Sequence, residues 1–297
     1  MKVSIVVATY NRKDKLEKCL NALVSQTFPQ EDYEIIIVDD GSTDGTYEFL
    51  KKKQKEIKNL RVFRQNNKGP AAARNLGIKN AKGKIIFFTD DDVIVPSNWI
   101  EEFLKVFEKY PEVVAVGGYL EASEEMIKKN IFARYEAYIS KLAYNMPNKL
   151  YIGGFETFGV VTCNAAYKKD VIEEVGYFDE SFPVAAGEDA DLKLRISLKG
   201  YKFAFIPLKA THIQDYNFKR FWRQQVARGI GDVYFAKKWK NVLKTEEEKD
   251  KYNAKAKYDI PLKILKDLKF DMFLLFVISV LASKYGKWKG SSQRSQI

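Results

Sequence analysis

Three consecutive aspartates, Asp90, Asp91 and Asp92, close an apolar run in the stretch IIFFTDDDVIVP, residues 85–96. Adjacent carboxylates repel one another, so a fold gains little from them unaided. Two readings stand open. As a solvated turn the triplet accepts the repulsion without return. As a hard-cation site it offers oxygen ligands that suit Mg2+ or Mn2+, and a divalent ion removes the repulsion. Ions held by one or two carboxylates commonly fill their shell with substrate phosphates, which points to a nucleotide or diphosphate ligand. Two other acidic groups stand near turn residues: Asp39–Asp40 in IIIVDDGSTDG, and Glu188, Asp189 and Asp191 in GEDADLKLR. Turn and cap chemistry explains Asp44 and the glycines of the first, but not two carboxylates ending a strand. The second is either an acidic helix start favoured by the dipole or the home of a general base. Spacing alone does not separate these two.

Residues 1–120 alternate in a way that would place such groups together. KVSIVVATY, YEIIIVDD, LRVFRQNN and KIIFFTDDD read as apolar strands, separated by segments such as RKDKLEKCLNALVSQ with apolar positions at helical spacing. GPAAARNLGIKNAKG has Pro at its start and Gly past its end, the asymmetry of a helix. Continuous apolar strands alternating with helices predict an α/β fold with a mostly parallel sheet covered on both faces. In such sheets ligands bind beyond the carboxyl ends of the strands, where both aspartate groups fall.

The charge of the chain is localised. Residues 1–218 carry 31 Lys+Arg against 31 Asp+Glu, and residues 219–297 carry 19 against 8, so the whole excess of +11 lies in the latter. That implies an anionic partner there, a phosphate-bearing ligand or a membrane surface; nucleic acid is disfavoured because no nucleic-acid-binding motif accompanies the charge. Arg223 and Arg228 in RFWRQQVARGIGD are candidates for holding a diphosphate or an anionic acceptor, against the ordinary reading of solvated helix residues. Residues 272–282 form a solid apolar run, too short to span a bilayer, flanked by Lys284, Lys287, Trp288 and Lys289. A helix over 262–289 is expected, either on the cytoplasmic membrane face or packed on the catalytic domain or a partner chain. The apolar run at residues 3–8 is too short for a signal peptide. Cys19 and Cys163 lack metal-ligand spacing, so a cytoplasmic chain with reduced thiols is expected.

VSIVVATYNR, IIIVDDGSTDGT, GPAAARNLGIKNAKGKIIFFTDDDVIVP and VGYFDESF followed by GEDADLKLRISLKG occur in this order. Together they resemble the family-2 nucleotide-sugar glycosyltransferases of the Rossmann-like GT-A fold, over roughly residues 2–215. The resemblance implies a catalytic domain at 1–215, with a nucleotide-sugar-binding half at 1–120 and an acceptor-side half at 121–215, followed by a basic helical region at 216–297. It implies a donor site of Ala8, Tyr10, Asp40, Arg74, Asp90 and Asp91, with Asp40 accepting from the base and Asp90 at the ribose. Asp91 matches the metal-binding acid of the D-x-D motif, here in a T-D-D variant because Thr89 replaces the first acid. Asp92 is read as bracing the turn. Asp189 matches the catalytic base of inverting members, with Glu188 beside it as an acceptor or diphosphate residue. His212, the only histidine, stands where several relatives contact the metal or diphosphate; the alternative is a surface residue at a strand end.

The implied reaction is transfer of one sugar, of hexosyl or N-acetylhexosaminyl type, from a nucleotide sugar (UDP-sugar favoured) to a hydroxyl on a glycan or lipid-linked glycan, with Mn2+ or Mg2+. Polysaccharide biosynthesis is the expected setting. Alternatives are a polyprenyl-phosphate sugar synthase and a non-catalytic sugar-nucleotide or glycan-binding protein. A sugar-nucleotide pyrophosphorylase would want a Gly-rich loop after the first strand, and ATYNRKDK has no glycine. A processive synthase is disfavoured because Gly229 replaces the tryptophan of Q-x-x-R-W.

Overall fold

The computed structural model describes residues 2–144, 147–242 and 269–292, together with 261, 264, 266 and 267. Its contacts divide the chain into two compact units. The first comprises Met1–Glu121, Pro147–Glu180 and Asp189–Gln214; the second comprises Ala122–Met146, Ser181–Glu188 and Asp215–Ile297. The stretch expected as one acceptor-side half, 121–215, is therefore shared between the units. The reason is packing that local sequence does not encode.

In the first unit, strands β1 (Val3–Thr9), β2 (Tyr33–Asp39), β3 (Leu60–Arg64) and β4 (Ile85–Thr89) alternate with helices α1 (Lys13–Val24), α2 (Thr46–Glu56) and α3 (Pro70–Asn80). Next come β5 (Val93–Ile94), α4 (Trp99–Lys109) and β6 (Val113–Ala122). Helices α5 (Glu124–Lys129) and α6 (Ile131–Tyr144) belong to the second unit. The first resumes with β7 (Tyr151–Gly153), β8 (Asn164–Lys168), α7 (Lys169–Glu174), α8 (Glu188–Leu198) and β9 (Lys202–His212). The sheet order is β3-β2-β1-β4-β8-β6-β9-β5, with β7 added on β9. It is parallel from β3 to β4, then antiparallel at β4–β8, β8–β6, β9–β5 and β9–β7. The α/β class expected from the sequence holds, and the parallel order covers four strands rather than most of the sheet.

Strand alternation explains why β1 and β2 read as continuous apolar runs. Val3, Ile5 and Val7, with Tyr33, Ile35 and Ile37, face a core closed by Leu16, Leu20 and Leu23 of α1 and by Trp99, Ile100 and Phe103 of α4. Val6, Ile36 and Val38 face the opposite core, with Ala73 and Ile78 of α3 and Leu192 and Ile196 of α8. Both faces are buried, as parallel strands under helices require.

One polar group interrupts this core. Glu34, 1% exposed, accepts from Ser4 Oγ at 2.7 Å, Arg61 Nη1 at 2.7 Å and the Lys82 N–H at 2.6 Å. Burial alone would raise its pKa, but these donors hold the carboxyl below its ordinary value. Its contribution to stability is therefore full above the unfolded value of about 4.3 and is lost as pH falls through the lower folded value. Glu34→Ala is expected to cost about 3 kcal/mol at neutral pH by stranding its donors. Urea melts should show that deficit shrinking in acid; an equal deficit at both pH values would refute the account.

The second unit is helical. Ser123 caps α5 by accepting the Met126 N–H, and Asn217 caps α9 (Phe218–Lys238) by accepting the Arg220 N–H. Of the helix expected over 262–289, residues 262, 263, 265 and 268 lie outside the described residues. From Phe270 to Ser292 the chain forms α10, which packs along α9. Two glycines permit the approach: a Cβ at Gly229 would stand 2.2 Å from the Ser283 carbonyl, and one at Gly286 the same distance from that of Val226. Tyr135, Phe221, Ile264, Met272 and Leu275 fill the seam between α6, α9 and α10. Tyr135 Oη donates to Ser279 Oγ across it at 2.9 Å. Among the described residues no helix is long and apolar enough to cross a membrane.

Candidate active site at the strand ends

The carboxyl ends of β1, β2 and β4 carry Thr9, Asp39 and Thr89, and the site is built from the loops that leave them. After β1 the backbone turns through Asn11 in the left-handed region, φ 52°, a conformation Asn tolerates better than most residues. Its side-chain oxygen accepts the Thr43 N–H at 2.8 Å and its own N–H donates to Ser42 Oγ at 2.9 Å, tying this loop to the one after β2. Tyr10 is left exposed and Ala8 half-buried at the same strand end. Asp40 is buried and organises the approach to α3. Its Oδ1 accepts from Gln65 Nε2 and the Lys68 N–H, and its Oδ2 from the Gly69 N–H, each at 2.8 Å. A carboxylate has about four acceptor sites, so these bonds leave Asp40 capacity for a ligand donor.

The three aspartates take separate partners. Asp90 is the most exposed of them and accepts from Arg74 Nη2 at 3.2 Å, with the Arg74 guanidinium over the Phe178 ring. Asp91 is buried, accepting from Thr9 Oγ1 on Oδ2 at 2.8 Å and from Arg12 Nη1 on Oδ1 at 3.0 Å. The same Arg12 nitrogen reaches Asp92 Oδ2 at 2.7 Å. Asp92 also meets His212 Nε2 at 3.4 Å, and its carbonyl accepts the Ile213 N–H at 2.8 Å. Pairing of Val93 with His212 in the β5–β9 ladder brings the histidine there.

The electrostatics follow from burial. Desolvation pushes the Asp91 carboxyl up to about 6, opposed by Arg12 and Thr9 and reinforced by Asp92 and Asp90. Burial disfavours charge on Arg12 too, but the three aspartates outweigh it and hold the guanidinium above its ordinary value. Carboxylate oxygens are the donor chemistry Mg2+ or Mn2+ accepts, and an imidazole beside them favours the softer of the two, Mn2+. Among the described residues no group of three or more such side chains is arranged to enclose an ion. The donor set fits an ion held by one or two side chains and completed by phosphate oxygens, provided Arg12 releases an Asp91 oxygen.

Asp189 stands in the first turn of α8, its Oδ1 accepting the Ala190 N–H at 2.8 Å. Two residues on, Asp191 is buried and bound to Arg195 Nε at 2.9 Å, while Arg195 also donates to the Val175 and Tyr177 carbonyls. Asp191 thus fastens the helix to the preceding turn. One turn after Asp189, Lys193 is buried, donating to the Thr157 carbonyl and lying over Phe155 and Phe203. Burial pushes its amine down to about 8, while Asp189 and Glu156 pull it upward. The Cys163 thiol, raised by burial, is raised further by both Asp90 and Asp189 and lowered by Arg74.

Ion pairs link Arg74 to Asp90 and Arg12 to both Asp91 and Asp92, and the β5–β9 ladder brings His212 to Asp92, while Asp189 stands at the start of α8. Glu188, Arg223 and Arg228 belong to the second unit. There Glu188 is buried, Arg223 exposed, and Arg228 Nη1 lies 3.4 Å from Gln225 Oε1. Sequence reasoning missed Thr9, Arg12 and Lys193. The only local signal was a cation shortly after a strand end, in TYNR, and a lysine on the inward helical face one turn after Asp189.

A family model described as Glycosyl transferase family 2 matches residues 4–176. Glycosyltransferase AglE of Haloferax volcanii is 30% identical over 204 residues, 68% of this chain and 64% of that protein. Poly(ribitol-phosphate) beta-glucosyltransferase of Bacillus spizizenii is 35% identical over 158 residues, 51% of this chain and 25% of that protein. The chain thus matches less than two thirds of the length of either relative. The mannosyltransferase PcManGT from Pyrobaculum calidifontis, solved with GDP-Man and Mn2+, superposes with a TM-score of 0.65 at 20% identity. That alignment covers 95% of this chain and 73% of that one, a likeness of fold.

Proposed function

Because the chain belongs to glycosyl transferase family 2, we propose that it moves one sugar from a nucleoside-diphosphate sugar to an acceptor hydroxyl in a single inverting displacement. The observation that carries this reading is the polar group at the strand ends, where Arg74 holds Asp90 at 3.2 Å and the adjacent Asp91 and Asp92 share Arg12, with His212 3.4 Å from Asp92. Asp189, in the first turn of α8, is the acid assigned here as the base.

In this mechanism Asp189 takes the proton from the acceptor oxygen as that oxygen attacks the anomeric carbon. The bond from that carbon to the diphosphate oxygen breaks on the opposite face, and the nucleoside diphosphate departs. Lys193 lies one helical turn behind Asp189, a buried amine whose charge Asp189 and Glu156 support. Asp40, with Ala8 and Tyr10, receives the base, and Asp90, held by Arg74, receives the ribose. Asp91 and His212 are the side chains that would hold a divalent ion, which when bound supplies Lewis-acid neutralisation of the leaving diphosphate. Glu188, Arg223 and Arg228 are proposed for the acceptor or diphosphate. A glycan or lipid-linked hydroxyl is the proposed acceptor, in keeping with the polymer named for one relative.

The deciding experiment is a thermal-shift and donor-hydrolysis screen of UDP- and GDP-sugars with and without Mn2+. One donor class should raise the melting temperature only with Mn2+, by the equivalent of about 2.7 kcal/mol at roughly a hundredfold over its Kd. Equal binding without metal would sink the metal role; no binding by any donor would sink the donor reading.

A further inference from the structure

Helix α10 is apolar on two sides, and its packing on α9 accounts for only one. Met272, Leu275, Ser279, Ala282, Gly286 and Gly290 are its buried positions. Phe270, Leu274, Val277, Leu281, Tyr285 and Trp288 are 70, 61, 38, 55, 47 and 63% exposed. Each set recurs at steps of three and four, so each forms one stripe, and helical periodicity puts the two on opposite sides. The outer stripe runs about 27 Å along the helix. From its C-terminal half the aromatic surface continues onto α9. The Tyr285 ring lies 5.8 Å from Trp288 and 6.5 Å from Trp222, and Trp222 lies 6.1 Å from Phe218, itself 52% exposed. Soluble surfaces rarely leave so continuous an apolar band uncovered.

The charge beside this band selects its partner. Lys284 is exposed next to the stripe, and exposed Lys287 and Lys289 flank it on either side. Lys287 also reaches Asp232 Oδ2 at 3.1 Å. The one acid of α10, Asp271, stands at the other end, near Arg134 at 3.8 Å. Tyr and Trp settle at the headgroup level of a bilayer, and lysines beside them reach lipid phosphates while their stems stay in apolar surroundings. A second copy docking by the same face would set this cationic end against a surface equally poor in acids.

We propose that this face of α10, extended by Phe218 and Trp222, docks on an anionic lipid bilayer with the helix lying in the interface plane. The proposal is independent of the donor and acceptor, because vesicle binding needs neither. Its test is flotation of the full chain with phosphatidylcholine vesicles, with and without phosphatidylglycerol, at rising salt. Binding should require the anionic lipid and weaken with salt. The double variant Leu281→Ser/Trp288→Ser should bind at least about tenfold more weakly. Lys284→Glu/Lys289→Glu should lose roughly fivefold or more per lysine on anionic vesicles only. All four side chains are exposed, so unchanged melting temperatures will certify the variants as folded. Variants that float like the parent chain would overturn the proposal. So would absence of vesicle binding, whether or not the chain forms a dimer that Leu281→Ser/Trp288→Ser dissolves; such a dimer would assign the stripe to a second copy.

Discussion

Asp189→Asn is expected to reduce sugar transfer by about 10²- to 10⁴-fold, the usual weight of a positioned general base, while leaving donor affinity within about twofold. The substitution keeps size and keeps an oxygen to accept the Ala190 N–H, so the first turn of α8 has no reason to unwind. What disappears is the acceptor for a proton. Because only the transition state uses that acceptor, kcat and kcat/KM should fall together and donor KM should stay. Lys193→Met is the companion. It removes the charge behind Asp189 but retains a flexible side chain between Phe155 and Phe203. A positioning role predicts a lower kcat with donor KM and melting temperature unchanged; a purely structural role predicts a lower melting temperature with kcat in place. Unchanged transfer by Asp189→Asn would remove it as base.

The second large effect pulls activity and stability in opposite directions. Asp91→Asn should lower donor-dependent turnover by about 10²- to 10³-fold, as expected when one preorganised charge at a leaving group is lost. In metal-free buffer at neutral pH the same variant should be more stable than the parent. The folded Asp91 carboxyl is pushed up to about 6 by burial beside Asp92 and Asp90, above the unfolded value of about 3.9. Ionising it therefore opposes folding, with no effect below the unfolded value and its full effect above the folded one, about 2–3 kcal/mol. Asparagine removes that cost and keeps oxygen and size, while Arg12 retains Asp92 at 2.7 Å. A melting temperature higher by a few degrees is the expected readout. A destabilised Asp91→Asn with full turnover would show Asp91 to be structural only. The arrangement is that of a site holding strain for function: like charges are buried together, with Arg12 the cation that joins two of them in the free protein.

Much of this was legible in order along the chain because the governing rules are short-range. Strand and helix alternation, the Pro70 entry to α3, and acids at the ends of β2 and β4 follow from periodicity and turn chemistry within a few residues of each position. So does the resemblance that led to the family, since its motifs are contiguous. The residue types at the strand ends led to the proposal of phosphate chemistry, and Asp39, Asp40 and the aspartate triplet stand at or just beyond the carboxyl ends of β2 and β4.

What only the tertiary structure decided involves residues far apart in sequence. Arg12 meets Asp91 and Asp92 across about 80 positions, and no local pattern distinguishes that arginine from a solvated one. The antiparallel continuation of the sheet depends on β8 reaching β4, a pairing that register and packing select after the helices are placed. The apolar run at 272–282 read as a single hydrophobic block, because an isolated sequence cannot show which side another helix will cover. Gly229 and Gly286 let α9 and α10 approach closely enough to bury one side, and the other was thereby left as a surface. Local sequence set which groups were present and the elements that carry them. Contacts between distant segments decided which charges share a buried site, and which apolar side chains were core.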